Sequence, residues 1–434
     1  MTRRCEVPAR PHELTACAAL DEIAAGRLSA EALTRACLAR IAEREPLVQA
    51  FVHLDPALAL AEARQRDHAD RRGPLHGLPL AVKDLIDTAD RPTAYGSQAY
   101  AGNRPAQDAA CVALARAAGA VVLGKTVTTE FALRAAGPTT NPHDPARTPG
   151  GSSSGSAAAV ADGMVPVAFG TQTGGSVIRP ASYCGIVGYK PSLGTINRTG
   201  VKPLAESFDT VGLFARTVAD VALVSAVLAG EPPARWRIEP ARPERVGLCR
   251  TPWWGEAEAA TRAAVGTAAA SLAGAGIAVE EVALPPAFDA FNEWQSTVLR
   301  FEAFRTFAYE RTAHAGRLAP STHEELAAGS RIARCEYLEA KGGIRECRRL
   351  IAAIFGSSDL LLAPSAPGEA PRGLESTGEA TFNRLWTGLL TPCLNLPGLV
   401  GPSGLPVGIQ TIGARDDDHR LLRFSAWLAP RLAG

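Results

Sequence analysis

Short uninterrupted apolar runs, each joined to a stretch with helical spacing, constrain most strongly what this chain can fold into. "GLPLAVKDLIDT" (77–88) reads as an apolar strand ending in charge, residues 106–118 as a helix, and "AVVLGK" as the next strand. Upstream, residues 12–45 carry apolar positions at helical spacing, broken at Gly26. Ser29 then opens a second helix with Glu31 just inside it, where the helix dipole favours an acid. Residues 57–71 continue as an alanine-rich helix. Downstream, Gly155 to Asp162 reads as another, and "VPVAFGTQ" (165–172) as a strand running back from it. This alternation predicts an α/β core.

A second unit begins near residue 204. "SFDTVGLFARTVADVALVSAVLAG" reads as a loop and then a helix, and Pro232 to Pro243 as a Pro/Arg-rich linker. "RVGLCR" (strand), 256–275 (helix) and "IAVEEVAL" (strand) follow. Residues 286–355 read as mostly helical, with aromatic and arginine-rich stretches. "DLLLAPSAP" and "GLPVGIQTIG" are strands, and 418–432 is a helix. With 434 residues, one large or two modest domains are expected. The absence of any repeat favours one domain spanning 1–434, with a helical substrate-shaping insertion at about 286–355.

The charge balance excludes some partners. A formal net charge of +1 without blocks of like charge suggests neither nucleic acid nor a membrane surface as a bulk partner. Nine scattered cysteines form no CxxC pair or zinc-type spacing, and eight histidines form no HExxH, so reduced thiols and no metal are expected. No apolar run reaches the ~18 residues of a membrane helix. "MTRRCEVPARPHEL" has paired arginines without an apolar stretch behind them, unlike an export signal. A cytoplasmic location is expected.

Two serine- and glycine-rich loops remain: "PGGSSSGSAAAVADG" (149–163) and "GTQTGGSVIRP" (170–180), with Ser152 and Ser176 separated by 24 residues. Such loops serve as connectors or helix caps, and glycine-rich loops that open helices also cradle phosphate. These lack both GK[ST] and GxGxxG, and "GIVGYKPS" (185–192) has the wrong glycine spacing with a proline after its lysine. A helix of eight residues covers ~12 Å and the following strand ~25 Å, lengths that permit the two loops to meet. A serine nucleophile needs a base, and the closest histidine in sequence is His143. Only five lysines occur in the chain, and Lys83 ends the apolar strand in "AVKD". An amine can act as base when burial drives its pKa down.

Lys83 in "AVKD", "GGSSSGSA" from Gly150 and "GTQTGGSVIRPASYCGIVGYKPS" from Gly170, in this order and spacing, resemble the amidase signature family. "NPHDP" and "GLPVGIQTIG" are similar to further family segments. The resemblance implies an α/β fold with a large mixed β-sheet covered by helices on both faces. It implies cleavage of a linear C–N amide bond, with Ser176 as nucleophile, Ser152 relaying its proton and Lys83 as base. It also implies a cis peptide at Gly151–Ser152 and an oxyanion hole from the N–H groups of Thr173, Gly174, Gly175 and Ser176. Glycines there suit the role, because without Cβ atoms they let N–H groups converge. Arg179, Ser153, Gln172 and Thr171 are the expected substrate-binding residues, with Ser153 hydrogen-bonded within the serine network.

The same resemblance implies a small-molecule amide as substrate, no organic cofactor and no metal; relatives are commonly dimers, which makes a homodimer an expectation. Gln172 departs from the aspartate common in relatives. Arg179 reads either as one side of a structural ion pair or as a guanidinium gripping a substrate carboxylate, as in malonamidase-type members. Two alternatives stand beside the small-molecule amidase. One is the glutaminase subunit of a tRNA-dependent amidotransferase, for which the chain is somewhat short. The other is a binding protein that kept the fold and lost catalysis. Among the remaining residues, Cys184 reads as a small buried hydrophobe, Asp84 as an orienter of Lys83 or a strand cap, and Lys190 and Lys202 as surface or loop residues. Tyr95 to Ser97 is a candidate to face the substrate, and 291–310 is mainly core packing.

Overall fold

The structure is a computed structural model that describes residues 10–69 and 73–432. The reading of the extreme N-terminal residues 1–9 lies outside these. In chain order the strands are β1 (Phe51–Leu54), β2 (Pro79–Lys83), β3 (Val121–Thr126), β4 (Val167–Gln172), β5 (Val187–Lys190) and β6 (Thr210–Ala215). They continue as β7 (Arg245–Leu248), β8 (Ala278–Glu281), β9 (Leu360–Pro364), β10 (Cys393–Val400) and β11 (Pro406–Ile412). All join one mixed sheet in the order β1-β3-β2-β4-β6-β5-β10-β11-β9-β7-β8. The expected α/β sheet is therefore present, and strands from both halves of the chain share it.

Both faces of the sheet are covered. In β2, Leu80 and Val82 enter one apolar cluster with the helices Ala110–Ala117, Val218–Leu228 and Asp418–Leu432. Ala81 enters another, with the helices Ala30–Val48 and Ser154–Ala161. A strand buried on both sides needs no polar alternation, which is why "PLAVK" reads as one apolar run. Each fully buried Leu or Val contributes ~1.5–3 kcal/mol relative to exposure. A third cluster gathers the helices of 286–355 with Trp386 and Leu389.

Local chemistry sets several element ends. Ser29 accepts from Ala32 N at 3.0 Å and caps the Ala30–Val48 helix. The Pro56–Asp67 helix ends before the expected 71, and its last residue serves the neighbouring helix: Asp67 accepts from Ala30 N at 2.7 Å and Glu31 N at 2.9 Å. The stretch expected as a loop ahead of residue 218 instead forms β6, wedged between β4 and β5. "TVGLFA" is buried along its whole length, so it carries no alternating signal. Thr217 then caps the helix Val218–Leu228 by accepting from Asp220 N at 3.2 Å. Lys190 is a second correction. It is fully buried at the end of β5, and its ammonium donates to the carbonyls of Pro191 at 2.9 Å and Thr391 at 2.6 Å, partners that sequence does not reveal. Among the described residues no helix is long and apolar enough to cross a membrane.

Candidate active site

Parallel pairing of β2 with β4 matches Leu80 to Val167 and Val82 to Phe169, so both strands end at one edge of the sheet. Clefts outside the carboxyl ends of parallel strands are where α/β proteins place their chemistry. At this edge Lys83 Nζ donates to Ser152 Oγ and to Thr171 Oγ1, each at 2.7 Å. Lys83 is completely buried, and among the described residues it forms no ion pair. Burial pushes its pKa well below the ordinary amine value, while the charge of Asp209 pulls in the opposite direction. The adjacent Asp84 does not orient this amine. It pairs with Lys125 at 3.2 Å and accepts from Ala94 N at 3.1 Å.

The two serine loops are tied together by backbone contacts. The peptide Gly151–Ser152 is cis. Arg179, one turn after Ser176, donates through Nη2 to the Gly151 carbonyl at 2.5 Å. Gly150 has φ +81°, and a Cβ there would stand 2.8 Å from Pro180 Cα, so only glycine allows the loops this approach. Ser153 Oγ donates to the Thr171 carbonyl at 3.2 Å and so fastens the serine loop to the end of β4.

The second loop is gripped from four directions. Gln172 Oε1 accepts from the N–H groups of Val177 at 2.8 Å and Ile178 at 3.0 Å, and its Nε2 donates to Thr387 Oγ1 at 2.9 Å. Thr387 in turn donates to the Gly174 carbonyl at 2.6 Å. Gln295 Nε2 donates to the Thr173 carbonyl at 2.9 Å, and Thr173 Oγ1 donates to Asp209 at 2.6 Å. A Cβ at Gly175 would stand 2.4 Å from Asn383 Oδ1, so the helix Thr381–Gly388 packs directly on the glycine backbone. Thus held, the N–H groups of Thr173, Gly174, Gly175 and Ser176 donate to no acceptor among the described residues. Buried N–H groups without partners are costly, and a fixed set of them suits a site where negative charge develops.

Those residues line a cavity of about 410 Å³ together with Arg179, Gln295 and Arg384. That volume fits a small molecule. Ser176 is 8% exposed in its wall, whereas Lys83 and Ser152, at 0% and 2%, do not line it, and no hydrogen bond joins Ser152 to Ser176 among the described residues. Arg179 forms no ion pair among the described residues. Beside its bond to Gly151 it donates to Thr377 Oγ1 at 3.0 Å, and its Nε finds no partner. Burial lowers its pKa to about 10. Of the residues expected at the substrate, Ser153, Thr171 and Gln172 do not line this cavity, because their side chains brace the two loops. Tyr95 to Ser97 lies elsewhere as well: Tyr95 OH donates to Asp87 at 2.8 Å and Ser97 Oγ to Glu130 at 2.7 Å. Asp209, Gln295 and Thr387 escape a reading of the sequence, since each is a single polar residue without a spacing partner. Among the described residues no group of three or more His, Cys, Asp or Glu could hold a metal ion.

The family model for Amidase matches residues 32–422. A glutamyl-tRNA(Gln) amidotransferase subunit from Chloroflexus aggregans is 37% identical, over 95% of this chain and 95% of that one. Peptide amidase from Stenotrophomonas maltophilia superposes with a TM-score of 0.81 at 31% identity, covering 96% of this chain and 97% of the other. A chain from the vestigial complex that revealed the origins of an s-triazine catabolic enzyme gives 0.88 at 30% identity, with 96% and 98% covered. Sheet, serine loops and near-full-length relatives agree, and the chain belongs to the amidase signature family of amide-cleaving hydrolases.

Proposed function

We infer that the protein hydrolyses a small, carboxylate-bearing amide through an acyl-enzyme on Ser176. One observation carries this reading: Ser176 and neighbouring N–H groups that have no acceptor among the described residues line the cavity, and the buried amine of Lys83 contacts Ser152. A neutral amine has a lone pair, so its 2.7 Å contact also suits the Ser152 hydroxyl as donor to Nζ. Ser152 then passes its proton to Lys83 as it takes the proton of Ser176. Ser176 Oγ bonds to the carbonyl carbon, and the oxyanion meets the N–H groups of the glycine loop. Each such donor can contribute ~3–4 kcal/mol in the transition state. The proton returns through Ser152 to the leaving nitrogen, the C–N bond breaks, and an ester remains on Ser176. Water takes the place of the amine in reverse, releasing the acid and restoring both serines.

Arg179 supports the carboxylate: a buried guanidinium without an acidic partner among the described residues is suited to bidentate binding of one. We read the chain as a single amidase domain in which the helical segment 286–355 shapes the cavity. Gln295, Ser296, Leu299 and Arg300 in its wall support that role. Ammonia release from a panel of neutral and carboxylated amides tests the proposal. Ser176→Ala should abolish turnover and labelling by a fluorophosphonate while the fold persists; near-native turnover in that variant refutes it.

A second reading, glutaminase subunit of a tRNA-dependent amidotransferase, is favoured by the relative from Chloroflexus aggregans. Chain length does not count against it, because 95% of that relative is spanned. Glutamine is itself a carboxylate-bearing amide, so the two readings differ in the fate of the ammonia. Co-purification with partner subunits, together with amidation of a charged tRNA by the resulting complex, would favour the second.

A further inference from the structure

The cavity holds a second guanidinium that the chemistry above does not use. Arg384 extends from the helix Thr381–Gly388, and its stem lies against the glycine loop: a Cβ on Gly174 would stand 4.0 Å from Arg384 Cγ. Its Nη1 donates at 2.7 Å to Ser296 Oγ, another residue of the cavity wall. Among the described residues it forms no ion pair.

The other arginines of the wall are differently placed. Arg134 and Arg300 both pair with Glu325, at 2.7 Å and 3.0 Å. Glu324, Glu375 and Glu379 also line the cavity, but they are exposed to solvent. The cavity wall therefore carries two guanidiniums, Arg179 and Arg384, with no carboxylate paired to either among the described residues. Burial lowers the pKa of both; at Arg179 the charge of Arg384 adds to the lowering, while the exposed carboxylate of Glu379 opposes it at both. Two like charges in the wall of one cavity oppose one another, and a bound anion relieves that opposition. A single carboxylate satisfies only one bidentate guanidinium fully.

We propose that Arg384 is a second specificity residue, and that the cavity takes amides bearing two carboxylates, one for Arg179 and one for Arg384. The proposal rests on the reading of this cavity as the amide site, but its test separates the two. Binding is measured by calorimetry in the Ser176→Ala protein with three probes: the central-acid-retaining monoamide of propane-1,2,3-tricarboxylic acid, the monoamide of glutaric acid, and butyramide. The dicarboxylate should bind about tenfold to a hundredfold more tightly than the monocarboxylate, the range of one charge-assisted contact. Adding Arg384→Gln should erase that preference, and Arg384→Lys should restore part of it. In the otherwise native enzyme, Arg384→Gln should lower the ratio of kcat/KM between the two acids by the same factor, chiefly through KM.

Equal weakening of all three probes would make Arg384 a latch to Ser296 and overturn the proposal. So would a Ser176→Ala protein without preference for the dicarboxylate, or a native enzyme that prefers zwitterionic glutamine over it. A preference in binding combined with no hydrolysis of any amide by the native protein sinks the hydrolytic reading and leaves the two-carboxylate pocket standing. Thermal midpoints of each variant identify any that fail to fold, and the lysine variant carries the test if glutamine at 384 does so.

Discussion

Lys83 holds its amine 2.7 Å from the Ser152 hydroxyl while no carboxylate among the described residues pairs with it. A base built in this way works only when neutral, and burial makes it neutral at lower pH than usual. The rate should rise with pH through this lowered value and level off well below 10.5, the ordinary value. Lys83→Ala should lose at least about 10³-fold in kcat, in keeping with residues that act as one relay. A pH profile of kcat/KM checks both.

The same amine has a signature in stability. Its folded pKa lies below its unfolded value, so between the two the unfolded chain binds more protons. The contribution of this group is therefore most favourable above 10.5 and is lost as pH falls through the window toward the lowered value, below which the loss is constant. Lys83→Met should melt higher than native at neutral pH, with the difference narrowing toward the ordinary amine value. Calorimetric melts of both proteins across pH measure it.

Asp209 stands behind the glycine loop as acceptor for Thr173 Oγ1 and for the N–H groups of Leu204 at 2.8 Å and Ala205 at 3.0 Å. It is also the charge that holds up the pKa of Lys83. Asp209→Asn removes that charge, so the acid limb of the pH profile should move to lower pH. The asparagine oxygen can keep the two N–H donors of Leu204 and Ala205 while its NH2 turns to Thr173 Oγ1, which then accepts, so the packing cost is that of one reversed hydrogen bond. A destabilised variant whose acid limb stays in place would restrict Asp209 to a structural part.

How far the sequence discloses this site depends on whether contacts are local. Lys83 closes an apolar strand, and Ser152 and Ser176 sit in glycine-rich loops, so each carries a recognisable setting, and the structure brings Lys83 to Ser152. β2, β3 and β4 are likewise legible as apolar runs between helices. β6 is not, although it is an apolar run of the same kind, because "TVGLFA" passes through only Arg216 and Thr217 into the helix Val218–Leu228, with no Gly or Pro to separate the two. Gln295 and Thr387 reach the glycine loop across 122 and 213 residues, and neither repeats at a spacing that marks it. Gln172 is visible as a departure, but its role depends on Thr387, which no local pattern supplies.

Cys184 resembles a reactive thiol beside the second loop, yet it is 1% exposed and donates through Sγ to the Pro149 carbonyl at 3.4 Å. Burial raises its pKa, and a thiol so held supplies little thiolate. Alkylation of the folded protein should therefore modify exposed Cys335 and spare Cys184, as peptide mass mapping can measure. Cys184→Ala should keep most of the activity and cost stability through the small cavity it leaves.

Gln172 does work that an aspartate could not do here. Its oxygen collects the N–H groups of Val177 and Ile178, which open the helix carrying Arg179, while its amide hydrogens reach Thr387. That donation leaves the single hydroxyl hydrogen of Thr387 for the Gly174 carbonyl at 2.6 Å, with the Asn383 carbonyl of its own helix farther away at 3.1 Å. Gln172→Glu keeps both acceptor contacts but supplies no donor, so Thr387 must choose between the new carboxylate and Gly174. The loop then loses a contact of ~0.5–1.5 kcal/mol, and the variant should fold with kcat lowered about threefold to tenfold and KM little changed. Gln172→Leu instead strands two buried N–H groups at ~1–3 kcal/mol each, and should lower the melting temperature before it affects the rate per folded molecule. Activity normalised to the folded fraction separates the two, and equal behaviour of both variants would show that the bond to Thr387 does not steady the loop.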